Sequence, residues 1–154
     1  MRIWERTMSK HDHLGEPSSI YYKTTYVVQE DDIDGLGHMN NTVYLRLMEN
    51  LAWAHSEHLG LGVEDFQRIG SAMVAREHRM TYLGALFAGE TVQFETWLDH
   101  IDALNMHRYY RFTRISDQKV AFEAHTHWVC ISIATGRPQR MPPEFKAVYQ
   151  VYQV

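Results

Sequence analysis

From Ile20 to Gln29 the chain reads IYYKTTYVVQ, a run of β-branched and aromatic residues that suits a pleated, partly buried surface and predicts a strand. Carboxylates and glycines then take over, and Glu30 to Gly37 has the composition of a tight irregular loop. After Asn40 and Asn41, both good N-cap types, Tyr44, Leu47, Met48, Leu51, His55 and Leu59 recur on one side of a helix predicted over 42–59. Gly60 and Gly62 stop it, and a short amphipathic piece through Phe66 and Ile69 leads to Gly70. Four further runs, 72–83, 91–98, 106–115 and 120–133, read as strands able to pair by short connections, the last two as a hairpin around Ser116-Asp117-Gln118-Lys119. Within 91–98, Val92, Phe94 and Leu98 alternate with Gln93, Glu95 and Trp97, so one face is expected on a helix and the other under a second covering layer. Pro142-Pro143 opens a brief helix around Phe145 to Tyr149. A strand, a long helix and then a series of strands predict the α+β class, with an antiparallel sheet wrapped around one long central helix. Residues 1–19 hold no lasting periodicity and read as an N-terminal arm; residues 20–154 read as one domain, with no repeat or linker to divide them.

Composition narrows the classes. A chain of 154 residues, 45% hydrophobic and 22% charged, fits one globular domain whose core needs neither disulfide nor structural metal. The single cysteine, Cys130, cannot bridge internally, and no apolar leader follows a basic start, so a cytoplasmic location is expected. The apolar stretches fall far short of the roughly 20 residues of a membrane span, and none is expected. With 15 Lys plus Arg against 19 Asp plus Glu there is no basic excess for phosphate-backbone binding, so nucleic acid is not an expected partner.

Chemistry concentrates in Asp32-Ile33-Asp34-Gly35-Leu36-Gly37-His38-Met39-Asn40-Asn41, just ahead of the long helix. A helix N-terminus presents unpaired N–H groups and the positive end of the macrodipole, which stabilise an oxygen gaining negative charge. Asp34 is placed to act as general base on water or as nucleophile toward an activated carbonyl, while N–H groups near Asn40 and Asn41 polarise that carbonyl. The glycines at 35 and 37 would let the backbone approach a substrate closely. The same residue types also serve as ordinary turn formers and caps.

The pattern D-x-D-x-x-G-H-x-N-N-x-x-Y over residues 32–44, with Glu49 five residues on, resembles the signature of hotdog-fold acyl-CoA thioesterases of the 4-hydroxybenzoyl-CoA thioesterase-like group. The likeness extends through the strand ending at Tyr82 and the Gly89-Glu90 turn, covering roughly residues 20–145. Plant acyl-ACP thioesterases share a similar segment. The resemblance implies a hotdog fold, Asp34 as the catalytic carboxylate, and the amide near Asn41 as the group polarising the thioester carbonyl. His38 and Asn40 take the positions of a histidine and asparagine that take part in the plant branch. It also implies a site built between two chains of a homodimer, or a dimer of dimers, and coenzyme A as part of the substrate with no separate cofactor. Two departures stand out: Tyr82-Leu83-Gly84-Ala85-Leu86 lacks a proline many relatives carry, and Asp99 to Asn105 lacks a basic cluster that holds coenzyme A phosphates in some. Arg76, Arg79, Arg108, Arg137 and Arg140 are the cations left to fill that role.

Other candidates have simpler explanations. His125 and His127 share a strand face, but no third ligand stands at a matching spacing, so hydrogen bonding is expected and no metal site; His55 and His58 are read the same way. Trp53, Trp97 and Trp128 with Tyr21, Tyr22, Tyr109 and Tyr110 could line a pocket for an aromatic acyl group or a quaternary ammonium, and core packing accounts for them as well. Cys130 reads as a small buried apolar residue. No Gly-x-Ser-x-Gly elbow supports a serine hydrolase. An acyl-CoA thioesterase is therefore expected. The alternatives are a hotdog hydratase or dehydratase using Asp34 and His38, and a non-catalytic acyl-CoA-binding module.

Overall fold

The computed structural model describes residues 20–153; the expected arm, residues 1–19, lies outside the described residues. β1 (Tyr21–Val27) passes through one 3-10 turn, Glu30–Asp32, into a loop and then α1 (Asn41–His58). There follow α2 (Val63–Ile69), β2 (Ser71–Tyr82), β3 (Thr91–Ile101), β4 (Asn105–Arg114), β5 (Lys119–Ser132) and α3 (Pro143–Val148). Each element the pattern predicts is present, its ends displaced by a few residues at most.

The strands form one antiparallel sheet in the order β1-β3-β4-β5-β2. β4 and β5 are the expected hairpin, with Phe112 opposite Phe122. The expectation of short connections throughout needs correcting at β2, which pairs with β5 at the far edge and does not touch β3 in the sheet. Residues 83–90 carry the chain across the sheet. Leu83 and Gly84 both donate to the Ala121 carbonyl there, and Leu86 drops fully buried beneath the start of α1.

α1 lies against the inner sheet face because its apolar spacing gives it one continuous side: Tyr44, Leu47, Met48, Leu51 and His55 are all buried. They meet Phe94, Phe112 and Phe122, whose rings lie stacked at 3.9 Å (Phe94–Phe112) and tilted at 5.0 Å (Phe112–Phe122) between centroids. Each such ring contributes about 1.5–3 kcal/mol of burial. Toward the other end, Phe66 of α2, Phe145 of α3 and Tyr149 pack with Leu98, Met106 and Cys130 in a second cluster. Cys130 is buried as expected, and its surroundings push the thiol pKa up.

The covering layer expected over β3 is present, and among the described residues it is made of side chains and not of a regular element. Glu95 and Trp97 on the outer face are buried. Tyr21 and Tyr109 flank the Trp97 ring at 5.3 and 4.7 Å, and the Arg111 guanidinium lies 5.4 Å from it. Tyr21 also donates to Glu95, and residues 151–152 run beside β3, Tyr152 N–H bonding the Leu98 carbonyl at 2.9 Å.

Candidate active site

The loop before α1 is held by Asp32, the first carboxylate of the D-x-D pair. Its side chain is buried and accepts from the Tyr26 hydroxyl (2.5 Å), the Gln29 N–H (2.9 Å) and Arg46 Nη2 (2.7 Å), while its own carbonyl accepts the Asn40 N–H at 2.9 Å. Burial and the adjoining Asp32 carboxylate hold the Tyr26 proton well above the usual phenol range. Nothing in the chain's periodicity marks Asp32 as this anchor; only the convergence of Tyr26 and Arg46 from two elements reveals it.

Asp34 starts a tight reversal. Its N–H donates to the His38 carbonyl at 3.1 Å, its carbonyl accepts from Gly37 N–H at 3.0 Å, and Ile33 bridges Met39. Gly37 sits at φ +84°, a left-handed conformation that disfavours any side chain. Gly35 has no positive φ, and a Cβ there would meet nothing within 4 Å, so its flank is open space. The Asp34 side chain is half-buried, and Oδ1 is engaged in its own turn, accepting the Leu36 N–H at 2.8 Å. Oδ2 has no partner among the described residues.

The helix start is capped from one side only. Asn40 Oδ1 accepts from both the Thr42 N–H (2.9 Å) and the Thr42 hydroxyl (2.8 Å), and the Asn40 carbonyl accepts from Val43 N–H at 3.0 Å. The Asn41 N–H donates to none of the described residues, and no acidic side chain occupies the first turn of α1. Asn41 itself is exposed, its carbonyl held by the Tyr82 hydroxyl at 3.0 Å. The His38 side chain, half-buried, has no partner among the described residues. Asp34, His38, Asn40 and Asn41 thus share one short loop. Asn40 serves there as a cap, and its side-chain oxygen is occupied.

A cavity of about 300 Å³ lies between α1 and the β2 side of the sheet. Exposed Leu45, Glu49, Val74 and His78 stand at its mouth; buried Arg108, Tyr110 and Tyr149 form its floor. Leu45 and Glu49 follow Asn41 at successive four-residue steps, so they continue the same helix face, placing the mouth within about 12 Å along the axis from the open amide. The aromatic candidates divide accordingly. Trp53, Trp128 and Tyr110 line the cavity, Tyr22 stacks on His55 at 5.4 Å, and Trp97, Tyr21 and Tyr109 pack on the outer face.

Arg108 corrects one expectation. It was among the cations available for coenzyme A phosphates, yet it is 1% exposed on the inner face, donating to His55 Nδ1 (2.8 Å) and Thr96 Oγ1 (3.1 Å). The other four arginines remain exposed. His125 and His127 are bonded as the sequence implies, to Asp99 (2.9 Å) and Asn105 (2.7 Å).

A family model described as the thioesterase-like superfamily matches residues 28–148. The chain belongs to that superfamily. Its activity class is thioester hydrolysis. Three solved structures share the fold of this thioesterase-like chain. A 1,4-dihydroxy-2-naphthoyl-CoA thioesterase from Synechocystis is 15% identical with TM-score 0.76, covering 83% of this chain and 94% of its own. A Staphylococcus aureus protein described as hypothetical and in complex with CoA is 18% identical with TM-score 0.78, covering 87% and 89%. A putative thioesterase from Pseudomonas aeruginosa is 24% identical with TM-score 0.72, covering 82% and 95%. The expected hotdog arrangement, a sheet curled on one long helix, is the architecture they have in common with this chain.

Proposed function

We propose that this protein is an acyl-CoA thioesterase in which Asp34 drives hydrolysis and the N-terminus of α1 stabilises the tetrahedral oxyanion. The observation that carries this is the open Asn41 N–H at the head of an 18-residue helix, with Asp34 earlier in the same loop and one carboxylate oxygen uncommitted. As general base, Asp34 takes a proton from water while the water oxygen attacks the thioester carbon. The carbonyl oxygen becomes an oxyanion against the Asn41 N–H, and its collapse expels the coenzyme A thiolate. As nucleophile, Asp34 would instead form a mixed anhydride that water then opens. The side chains of His38 and Asn40 have positioning roles, Asn40 by fixing the helix start. Coenzyme A enters as part of the substrate, and no other cofactor is invoked.

A homodimer completes the picture. β2 is the last strand of the sheet, and its outer edge is unpaired among the described residues over 12 residues, with Val74 to Arg79 exposed. Such an edge is a template for another strand, and isologous pairing with a second copy extends the sheet across a two-fold axis.

The test is thiol release from a panel of acyl-CoA esters. Asp34→Asn is expected to lower kcat about 100-fold or more with fold and assembly unchanged. Near-normal turnover by that variant would remove Asp34 from the mechanism. Water addition to an enoyl-CoA without thiol release would favour a hydratase, and a bound ester recovered intact would favour a binding module.

A further inference from the structure

The floor of the cavity is built around a cation without a counter-charge. Arg108 is fully buried, and no carboxylate pairs with it among the described residues. Both bonds it makes leave from Nη1; Nε is buried without a partner, and Nη2 bonds nothing described. Because a guanidinium only donates, His55 Nδ1 is the acceptor in that bond, and an imidazole offers no negative charge. The Nε and Nη2 donors form the parallel fork that matches the two oxygens of a carboxylate.

Two residues that line this cavity each bury a polar atom with no hydrogen-bond partner among the described residues. The Tyr110 hydroxyl and Trp128 Nε1 are buried and make no well-formed hydrogen bond among the described residues; Thr126 and Trp128 are the polar side chains next to the hydroxyl. Buried polar groups are normally bonded, and an unpaired buried charge is far more costly than an unpaired hydroxyl. Three such groups, all able to donate and all on residues lining one 300 Å³ cavity, suit an acceptor that carries negative charge. The rest of the wall is apolar, with Ala52, Trp53, Phe66, Met73 and Met106, so the body of the ligand is hydrocarbon. Glu49 lies at the solvent end of the cavity and makes no ion pair with Arg108.

We propose that the cavity binds an otherwise apolar chain ending in a carboxylate, with the free Nε–Nη2 edge of Arg108 as its counter-ion and Tyr110 and Trp128 as supporting donors. Taken with the thioesterase reading, on which the source of this group rests, the substrate class is an acyl thioester with a second carboxylate at its far end. The released acid is the other source of the same chemistry. A quaternary ammonium is the wrong sign for this floor.

The experiment pairs adipoyl-CoA with hexanoyl-CoA as substrates, and adipate, hexanoate and 1,6-hexanediol as ligands followed by calorimetry. The wild-type protein is expected to favour adipoyl-CoA at least tenfold in kcat/KM and to bind adipate but not the diol. Arg108→Met should abolish both preferences. Tyr110→Phe, which keeps the ring and the fold, should lower them several-fold and decides the matter should the arginine variant not fold. Arg108-dependent binding of hexanoate, with no preference between the two thioesters, would assign the carboxylate to the released acid. Thioester hydrolysis with no carboxylate preference and no carboxylate binding would overturn the proposal and leave the thioesterase reading standing. Arg108-dependent binding of adipate without any thiol release would do the reverse.

Discussion

Two aspartates two residues apart have been given different tasks by their surroundings. Asp32 is spent on structure: three donors saturate it, and through its carbonyl it fixes Asn40, hence the first turn of α1. Asp34 keeps one oxygen uncommitted. Asp32→Ala would strand the Tyr26 hydroxyl and the Gln29 N–H and is expected to cost about 2 kcal/mol, read as a lowered thermal midpoint; half-exposed Arg46 recovers part of its loss in water. Gly37→Ala forces a side chain into the left-handed region and should cost about 1 kcal/mol by chemical denaturation. At this scale the sequence showed which segment held the chemistry, because carboxylates, glycines and cap residues cluster there. It did not separate Asp32 from Asp34, since that distinction comes from Tyr26 and Arg46. Arg108 was more legible than its use as a surface cation implied: it shares the parity of Met106, Tyr110 and Phe112 along β4, and that alternation alone places it inside.

The outer face of the sheet carries a ladder of histidines. His107 stacks on His127 at 4.5 Å between ring centroids and lies 5.3 Å from both His125 and His100, with Asp99 and Asp102 at the margin. Partial burial lowers the pKa of His107, helped by His127, His125 and His100 and opposed by Asp99. A folded-state pKa below the ordinary 6.5 means the unfolded chain binds that proton first. Its contribution to stability is thus complete above 6.5 and is lost as pH falls from there through the folded value. Denaturation midpoints at pH 7.5 and 5.5 should differ in that direction, and His107→Gln should shrink the difference. The elements themselves were readable from periodicity, since 3.6-residue spacing picked out the buried side of α1 and alternation picked out both faces of β3. Pairing partners were not: nothing local in β2 says that β5, and not β3, will lie beside it.

At the scale of the molecule, the edge of β2 that no described strand covers and the cavity mouth coincide, for Val74, Ala75 and His78 belong to both. Assembly and catalysis are therefore expected to fail together. Val74→Glu puts a charge on the shared margin and should shift the protein from dimer to monomer in sedimentation, with thiol release falling in parallel. A monomer of full activity would detach the two. The chamber also depends on α3 and the residues after it. Tyr149 contributes to its floor and is pinned to Ser56 at 2.7 Å, and the strand-like stitch of 151–152 onto β3 holds that segment in place. Trimming the chain back past Phe145 would leave most of the sheet intact while knocking the bottom out of the cavity, so the proposed selectivity among acids should be forfeited before the architecture is.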